Sequence, residues 1–169
     1  HGASLFFGVF VVGAFFLSTG IVSLAEIGDK TQLLALVLAA RYRRPLMLVL
    51  AIFLATIVNH ALAGWLGLWV SQLFAPNTMA WILGLGFLIM AVWMLIPDKL
   101  DDDDATSSLR SHSVFMLCFV TFFLAEMGDK TQIATVALVA EYQQYWAVVL
   151  GTTLGMMVVN APTVFVGDK

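Results

Sequence analysis

Charged residues are scarce in this chain. They make up 11% of its 169 residues, hydrophobic residues make up 61%, and the formal net charge is −3. A soluble domain carries charge on about a quarter of its residues. The acidic balance excludes the basic surface that nucleic-acid binding requires. Composition therefore indicates an integral membrane protein and no nucleic-acid partner.

Cysteine and the usual catalytic motifs are also nearly absent. Cys118 is the single cysteine, so the chain can form no internal disulfide, and no Cys/His zinc spacing occurs. There is no His-Glu-x-x-His sequence and no Ser/His pair placed for intramembrane proteolysis. One enzyme hypothesis remains open, in which the run Asp101–Asp104 holds a magnesium-diphosphate. Prenyltransferases that bind diphosphate in this way use spaced acids on helices, so we expect no enzyme.

Long apolar runs are abundant instead. A helix that crosses a hydrocarbon core of about 30 Å needs roughly 20 apolar residues. The sequence predicts five such segments, at about residues 5–40, 46–74, 79–96, 114–140 and 145–166. These boundaries predict a first transmembrane repeat at 1–97, an acidic linker at 98–113 and an incomplete second repeat at 114–169.

A charged sequence is duplicated inside two of these segments. Leu-Ala-Glu-x-Gly-Asp-Lys-Thr-Gln occupies residues 24–32 and 124–132, with Ile27 and Met127 at the variable position. A charged residue in the middle of a membrane costs about 3 kcal/mol on insertion scales. Glu–Lys pairs that only join helices are the structural alternative. Because the motif occurs twice at equivalent places, we interpret it as the functional centre.

The repeat predicts an all-α fold with two inverted-topology halves. Three helices per repeat is an odd number, so the second repeat enters the membrane from the opposite side, as in many secondary transporters. A sixth segment is expected beyond Lys169. Arginines at 41, 43 and 44 predict a cytoplasmic turn, and the equivalent turn of repeat two lacks them. The N-terminus is then outside, the linker is cytoplasmic, and the motifs lie near the midplane.

The motif side chains suit a hard cation. On a continuous helix Glu26 and Asp29 share a face, as do Glu126 and Asp129, and two facing motifs would bring four carboxylates together. Neutral oxygens come from Thr31, Gln32, Thr131, Gln132, Asn59 and Asn160. Oxygen ligands without thiolate or histidine favour calcium, manganese or magnesium.

Lysine and glycine complete each motif. Lys30 and Lys130 follow the glutamates by four residues, the favourable order for a helical ion pair, and would offset negative charge when no metal is bound. Gly28 and Gly128 either let a neighbouring helix approach closely or let the helix unwind.

These groups also suggest an exchange mechanism. Crowded carboxylates repel one another and take up protons when no metal is bound, so protonation on one face can release the ion. Exchange of two protons for one divalent ion is electroneutral. A sodium–proton exchanger, a passive cation pathway and a subunit that only scaffolds partners remain as alternatives.

The duplicated Glu-x-Gly-Asp-Lys-Thr motif, with an acidic middle loop between its copies, resembles the manganese-exporter family of the calcium/cation antiporter superfamily. That family comprises bacterial manganese exporters and Golgi manganese/calcium–proton exchangers. The resemblance implies six spans in two inverted halves, with Glu26, Asp29, Glu126 and Asp129 as cation ligands. The lysine, threonine and glutamine of each motif would support them. It also implies Mn²⁺ or Ca²⁺ as substrate and coupled protons. We expect a bacterial cytoplasmic membrane and no cofactor, and the oligomeric state stays open, with a homo-oligomer among the alternatives.

Overall fold

The structure is a computed structural model that describes residues 2–96 and 114–168. These residues form seven helices and no strand, which confirms the all-α prediction. The helices are α1 (Gly2–Glu26), α2 (Lys30–Tyr42), α3 (Pro45–Ser71), α4 (Pro76–Met94), α5 (Val114–Glu126), α6 (Lys130–Tyr142) and α7 (Tyr145–Gly167). The predicted acidic linker at 98–113 and the helix stop at Pro97 lie outside the described residues.

The prediction that each motif lies on one continuous helix is wrong. The segments predicted at 5–40 and 114–140 each contain two helices, which are separated at residues 27–29 and 127–129. Gly28 and Gly128 have φ angles of 78° and 75°. Glycine adopts this left-handed conformation without the steric cost that a Cβ atom brings. The unwinding alternative is therefore the correct one in both repeats.

Within residues 2–96 and 114–168, four helices are long and apolar enough to cross a membrane, namely α1, α3, α4 and α7. The shorter α5 and α6 have 13 residues each, about 20 Å on either side of the second break at 1.5 Å per residue. Large apolar side chains such as Phe6, Leu46 and Trp81 are more than 70% exposed. Extended apolar surface of this kind is uncommon on soluble monomers and suits contact with lipid.

Each broken helix lies along the third helix of the other repeat. The pair α1–α2 runs parallel to α7, because along successive hydrogen bonds the residue numbers of both partners increase. These bonds join Thr19 to Gly151, Glu26 to Asn160, and Gln32 to Thr163. The pair α5–α6 runs parallel to α3 in the same way, through contacts that join Glu126 to Thr56, Thr135 to His60, and Val139 to Gly67.

Helices α3 and α7 run antiparallel between these broken pairs. Gly64 packs against Tyr145 and Val149, whereas the earlier His60 contacts the later Thr152. The turn at residues 43–44 and the turn at 143–144 therefore lie at opposite ends of this central pair. This arrangement is compatible with inverted repeats, which stay a prediction. Membrane orientation and a sixth helix stay predictions.

Glycines permit the closest of these helix contacts. A Cβ atom on Gly151 would lie 2.6 Å from the carbonyl oxygen of Phe15, and one on Gly67 would lie 2.5 Å from that of Val136. The small-xxx-small pattern at residues 151–155 indicates this packing from sequence. On α4, by contrast, a Cβ atom on Gly84 or Gly86 would meet no described atom within 4 Å, so these glycines mark no close contact among the described residues.

Candidate metal centre

The two breaks are stabilised by the motif residues themselves. Asp29 is the N-cap of α2, with an extended backbone, and its carboxylate accepts a hydrogen bond of 2.9 Å from the Lys30 amide. Three residues into the helix, the Gln32 side-chain oxygen accepts from the Gly28 amide at 2.7 Å. Such bonds satisfy amide groups that a helix start leaves without partners.

The second break repeats this arrangement. Asp129 occupies the N-cap position of α6 with φ −77° and ψ 162°. The Gln132 oxygen accepts from the Gly128 amide at 2.6 Å. Both motif glutamines therefore stabilise the turns, a role that the sequence analysis did not assign to them.

Carboxylates from both motifs meet at one buried position. Glu26, Asp29 and Asp129 each place one oxygen so that all three atoms lie within 4.8 Å of one another. All three side chains are buried. Oxygens on opposite sides of a bound Ca²⁺ are about 4.6–5.2 Å apart, so a single ion can contact this set. The breaks bring the acids together in place of the shared helix face that the sequence predicted.

The fourth predicted acid, Glu126, lies beside this group rather than in it. It is fully buried and close enough to Glu26 and Asp129 for their negative charges to repel one another. One of its oxygens accepts a hydrogen bond of 2.9 Å from the Thr56 hydroxyl. The two glutamates therefore have different surroundings, although they hold equivalent positions in the motifs.

The two predicted asparagines differ as well. Asn160 donates a 2.9 Å hydrogen bond to Glu26, which also accepts one from Thr31. Asn59 instead donates to the Met127 sulfur at 3.4 Å. Asn160 therefore orients a carboxylate of the cluster, whereas Asn59 is held against the second break.

Several buried oxygens near the cluster have no hydrogen-bond partner among the described residues. They belong to Glu26, Glu126, Asn59, Asn160 and Thr131. Buried polar atoms are nearly always paired, since an unpaired one loses its hydration without compensation. Ionised carboxylate and amide oxygens accept only, so a cation suits both kinds, and a proton can satisfy the carboxylates. The donor set fits a hard divalent ion.

The lysines do not follow the predicted helical pairing. The Lys130 ammonium lies 4.0 Å from an Asp29 oxygen, so this ion pair joins the two repeats. It also lies 5.7 Å from the centre of the Trp93 ring, a favourable cation–π distance. The i, i+4 geometry expected between Glu26 and Lys30 does not exist, because the helix ends at Glu26 and a new one begins at Lys30.

Sequence reasoning missed three residues at this centre. Thr56 of α3 donates to Glu126, the Met127 sulfur in the second break accepts from Asn59, and the Trp93 ring of α4 lies beside the Lys130 ammonium. The single-residue difference between the motifs, Ile27 against Met127, was the only visible signal for any of them. A hydroxyl or an aromatic ring in an apolar helix gives no such signal.

The charge of the motif residues matches a divalent substrate. Four carboxylates and two lysines give a formal charge of −2 if all are ionised. One divalent cation or two protons would neutralise this charge. The arrangement is therefore chemically able to hold either in turn.

Comparison with known proteins also indicates a site for divalent cations and protons. The family described as "Divalent cation/proton antiporter GDT1" matches residues 14–102 and 114–169. A Vibrio cholerae protein named "Putative manganese exporter" is 51% identical over 93% of this chain and 78% of its own length. "GDT1-like protein 3" of Oryza sativa subsp. indica is 31% identical over 99% of this chain and 68% of its own length. No solved structure is significantly similar to the chain.

Proposed function

Since this chain belongs to the GDT1 family of divalent cation/proton antiporters, we propose that it exports Mn²⁺ across a bacterial cytoplasmic membrane in exchange for protons. Ca²⁺ is the second candidate substrate, because both ions accept carboxylate and amide oxygens. The proposal assigns Glu26, Asp29 and Asp129 to the ion, with Glu126 joining them during transport. The V. cholerae relative, named for manganese export, favours Mn²⁺.

One observation carries this proposal. Three buried carboxylate oxygens, contributed by both motifs, lie within 4.8 Å of one another. Their mutual repulsion in a low-dielectric interior is unfavourable unless a cation or protons are present. A structural motif would satisfy its own charges, whereas this cluster leaves oxygens of Glu26 and Glu126 without a described hydrogen-bond partner.

The exchange follows from competition for these oxygens. Mn²⁺ binds the deprotonated carboxylates, and protons that reach the cluster from the other face displace it. Moving a divalent ion out of a negative-inside cell costs about 4.6 kcal/mol per 100 mV. Two incoming protons carry the same charge in the opposite direction and cancel this electrical cost. Lys130 reduces the repulsion between the acids while the ion is absent, because it pairs with Asp29.

The decisive experiment is transport in liposomes. The full-length protein is reconstituted, and Mn²⁺ uptake is followed with and without an imposed pH gradient, alongside Ca²⁺ and Na⁺. We expect the gradient to drive Mn²⁺ movement. The double variant Glu26→Gln/Glu126→Gln should abolish this movement, because it removes negative charge from both motifs at nearly constant volume.

Glu141→Gln is the matched control, since Glu141 is an exposed acid at the end of α6, away from the cluster. It should transport Mn²⁺ like the unaltered protein. An Mn²⁺ flux that is the same with and without the pH gradient would favour a channel. A gradient-driven flux of Na⁺ alone would favour a sodium–proton exchanger. If the protein is folded but transports no cation, the structural interpretation of the motifs is favoured.

A further inference from the structure

We infer that the half of the molecule between the motif breaks and the turn at residues 143–144 is the hydrated passage to the metal centre. This half consists of α1, the second half of α3, α6 and the first half of α7, and we call it the hydroxyl half. The other half, formed by α2, the first half of α3, α5 and the second half of α7, is called the apolar half. The inference rests on the proposed function for the identity of the solute.

Matched positions of the two repeats differ systematically in polarity. Positions in α1, α5, α2 and α6 correspond at an offset of 100 residues, and those in α3 and α7 at 101. The hydroxyl half carries Ser18, Thr19, Ser23, His60, Thr135 and Thr152. At the equivalent positions the apolar half carries Cys118, Phe119, Phe123, Ala161, Ala35 and Ala51. Thr56, Thr121 and Thr163 are exceptions within the apolar half.

Part of the polar set forms a connected chain that starts at the second motif. The Thr135 hydroxyl donates to the Thr131 carbonyl at 2.7 Å, and the Thr152 hydroxyl donates to the Val149 carbonyl at 3.1 Å. Both hydroxyls lie near Nδ1 of His60, at 3.4 Å and 2.9 Å respectively. Since both hydroxyls donate to backbone carbonyls, this network favours the tautomer in which Nδ1 carries the proton. Nε2 is then an acceptor.

That acceptor is buried and has no hydrogen-bond partner among residues 2–96 and 114–168. The Ser18 hydroxyl, fully buried in α1, is in the same situation. Buried polar atoms without protein partners are typically satisfied by water where the surroundings are polar. Two such atoms lie in the hydroxyl half and one, the Thr121 hydroxyl, lies in the apolar half, so the hydroxyl half is the more favourable region for water.

Both halves are closely packed, but the apolar half contains the larger apolar core. Its core contains the fully buried side chains of Phe122, Leu48 and Ile52. Phe115, Phe119 and Phe123 stack in succession along α5, with ring centres 6.4 Å and 6.2 Å apart. Exposing such surfaces to water is unfavourable in proportion to their area, whereas a surface of hydroxyls and backbone carbonyls is hydrated readily.

Native and exchanged cysteines provide a matched test. The unaltered chain has its one cysteine at position 118, and the double variant Ser18→Cys/Cys118→Ser has its one cysteine at the equivalent place in repeat one. Both proteins are reconstituted in full length and treated with a small, cationic, membrane-impermeant methanethiosulfonate. We expect the thiol at position 18 to react about tenfold faster or more, because water access favours its reactive thiolate.

A second pair of cysteine variants tests the same difference in case Ser18→Cys does not fold. Thr152→Cys and Ala51→Cys, each combined with Cys118→Ser, should show the same order of reactivity. Bound Mn²⁺ should slow the reaction at position 18 or 152, since the bound divalent cation repels the cationic reagent. Equal rates in both pairs, or faster reaction at positions 118 and 51, would overturn the inference.

The labelling result is independent of transport. Fast reaction at positions 18 and 152 without any Mn²⁺ flux would uphold the passage and contradict the proposed function. Proton-driven Mn²⁺ flux with slow reaction at both positions would uphold the function and place the passage elsewhere.

Discussion

The Lys130 ammonium lies 4.0 Å from the Asp29 carboxylate, so the lysine of the second motif pairs with an aspartate of the first. Lys130 is only 3% exposed and Asp29 is fully buried. The pair therefore links the two repeats inside the protein, next to the proposed ion position. Removal of this ion pair should lower the stability of the metal-free protein more than that of the metal-bound protein.

Lys130→Met should lower the resistance of the metal-free protein to unfolding by about 3 kcal/mol, because it removes the buried cation that lies 4.0 Å from the buried Asp29 carboxylate. Saturating Mn²⁺ should restore much of this loss by supplying positive charge. Thermal unfolding in detergent, with and without Mn²⁺, measures both effects. Lys30→Met is the control and should cost less, since Lys30 is more exposed. Equal losses in the two variants would contradict a special role for the Lys130 pair.

Gly28→Ala should destabilise the protein by about 1–2 kcal/mol, because a residue with a Cβ atom is strained at the positive φ of this break. No described atom lies within 4 Å of the added carbon, so the effect is conformational rather than steric. Gly13→Ala within α1 is the control, because its surroundings are equally open and alanine favours a helix. The two variants are compared by thermal unfolding, and similar stabilities would argue against the positive φ.

Asn160→Ala should weaken Mn²⁺ binding by about 10–100-fold, the usual effect of removing a group that orients a metal ligand. The amide of Asn160 donates to Glu26 at 2.9 Å, whereas that of Asn59 donates to the Met127 sulfur. Asn59→Ala should therefore have the smaller effect. Titration calorimetry on the purified protein gives both affinities. Equal losses would mean that the two asparagines serve the ion alike.

Gly155→Ala should destabilise the contact between α1 and α7 by about 1–3 kcal/mol, as overpacking does in well-filled interiors. The added carbon would lie 2.7 Å from the Thr19 carbonyl oxygen, which belongs to a helix backbone and cannot easily move away. Gly84→Ala on α4 meets no described atom and should be neutral. Thermal unfolding distinguishes them, and an unchanged Gly155→Ala protein would show that the two helices are less tightly packed.

Mn²⁺ binding should release about two protons near neutral pH, since the ion takes oxygens that otherwise share protons. Affinity should accordingly fall as the pH falls, because protonated carboxylates do not bind the ion. Calorimetry in buffers with different ionisation enthalpies counts the protons. Glu126→Gln should reduce the count by about one, and a count near zero in the unaltered protein would contradict exchange at this centre.

Much of the fold could be predicted because its causes are local. Apolar runs longer than a hydrocarbon core is thick give the helices, and the repeat at residues 24–32 and 124–132 marks the centre. The four acids were identifiable because charge is rare and costly in such segments. The duplicated motif alone was also specific enough to indicate the family, and the comparisons confirm it.

Tertiary structure decided how these groups meet. A glycine inside a helical pattern permits either close packing or unwinding, and only the packed chain shows that Gly28 and Gly128 take positive φ angles. The sequence treats Glu26 and Glu126 as equivalent, since their motifs are nearly identical. Their differing partners, Asn160 and Thr56, come from the opposite repeat. Contacts between residues more than 60 positions apart depend on helix packing, which local sequence does not encode.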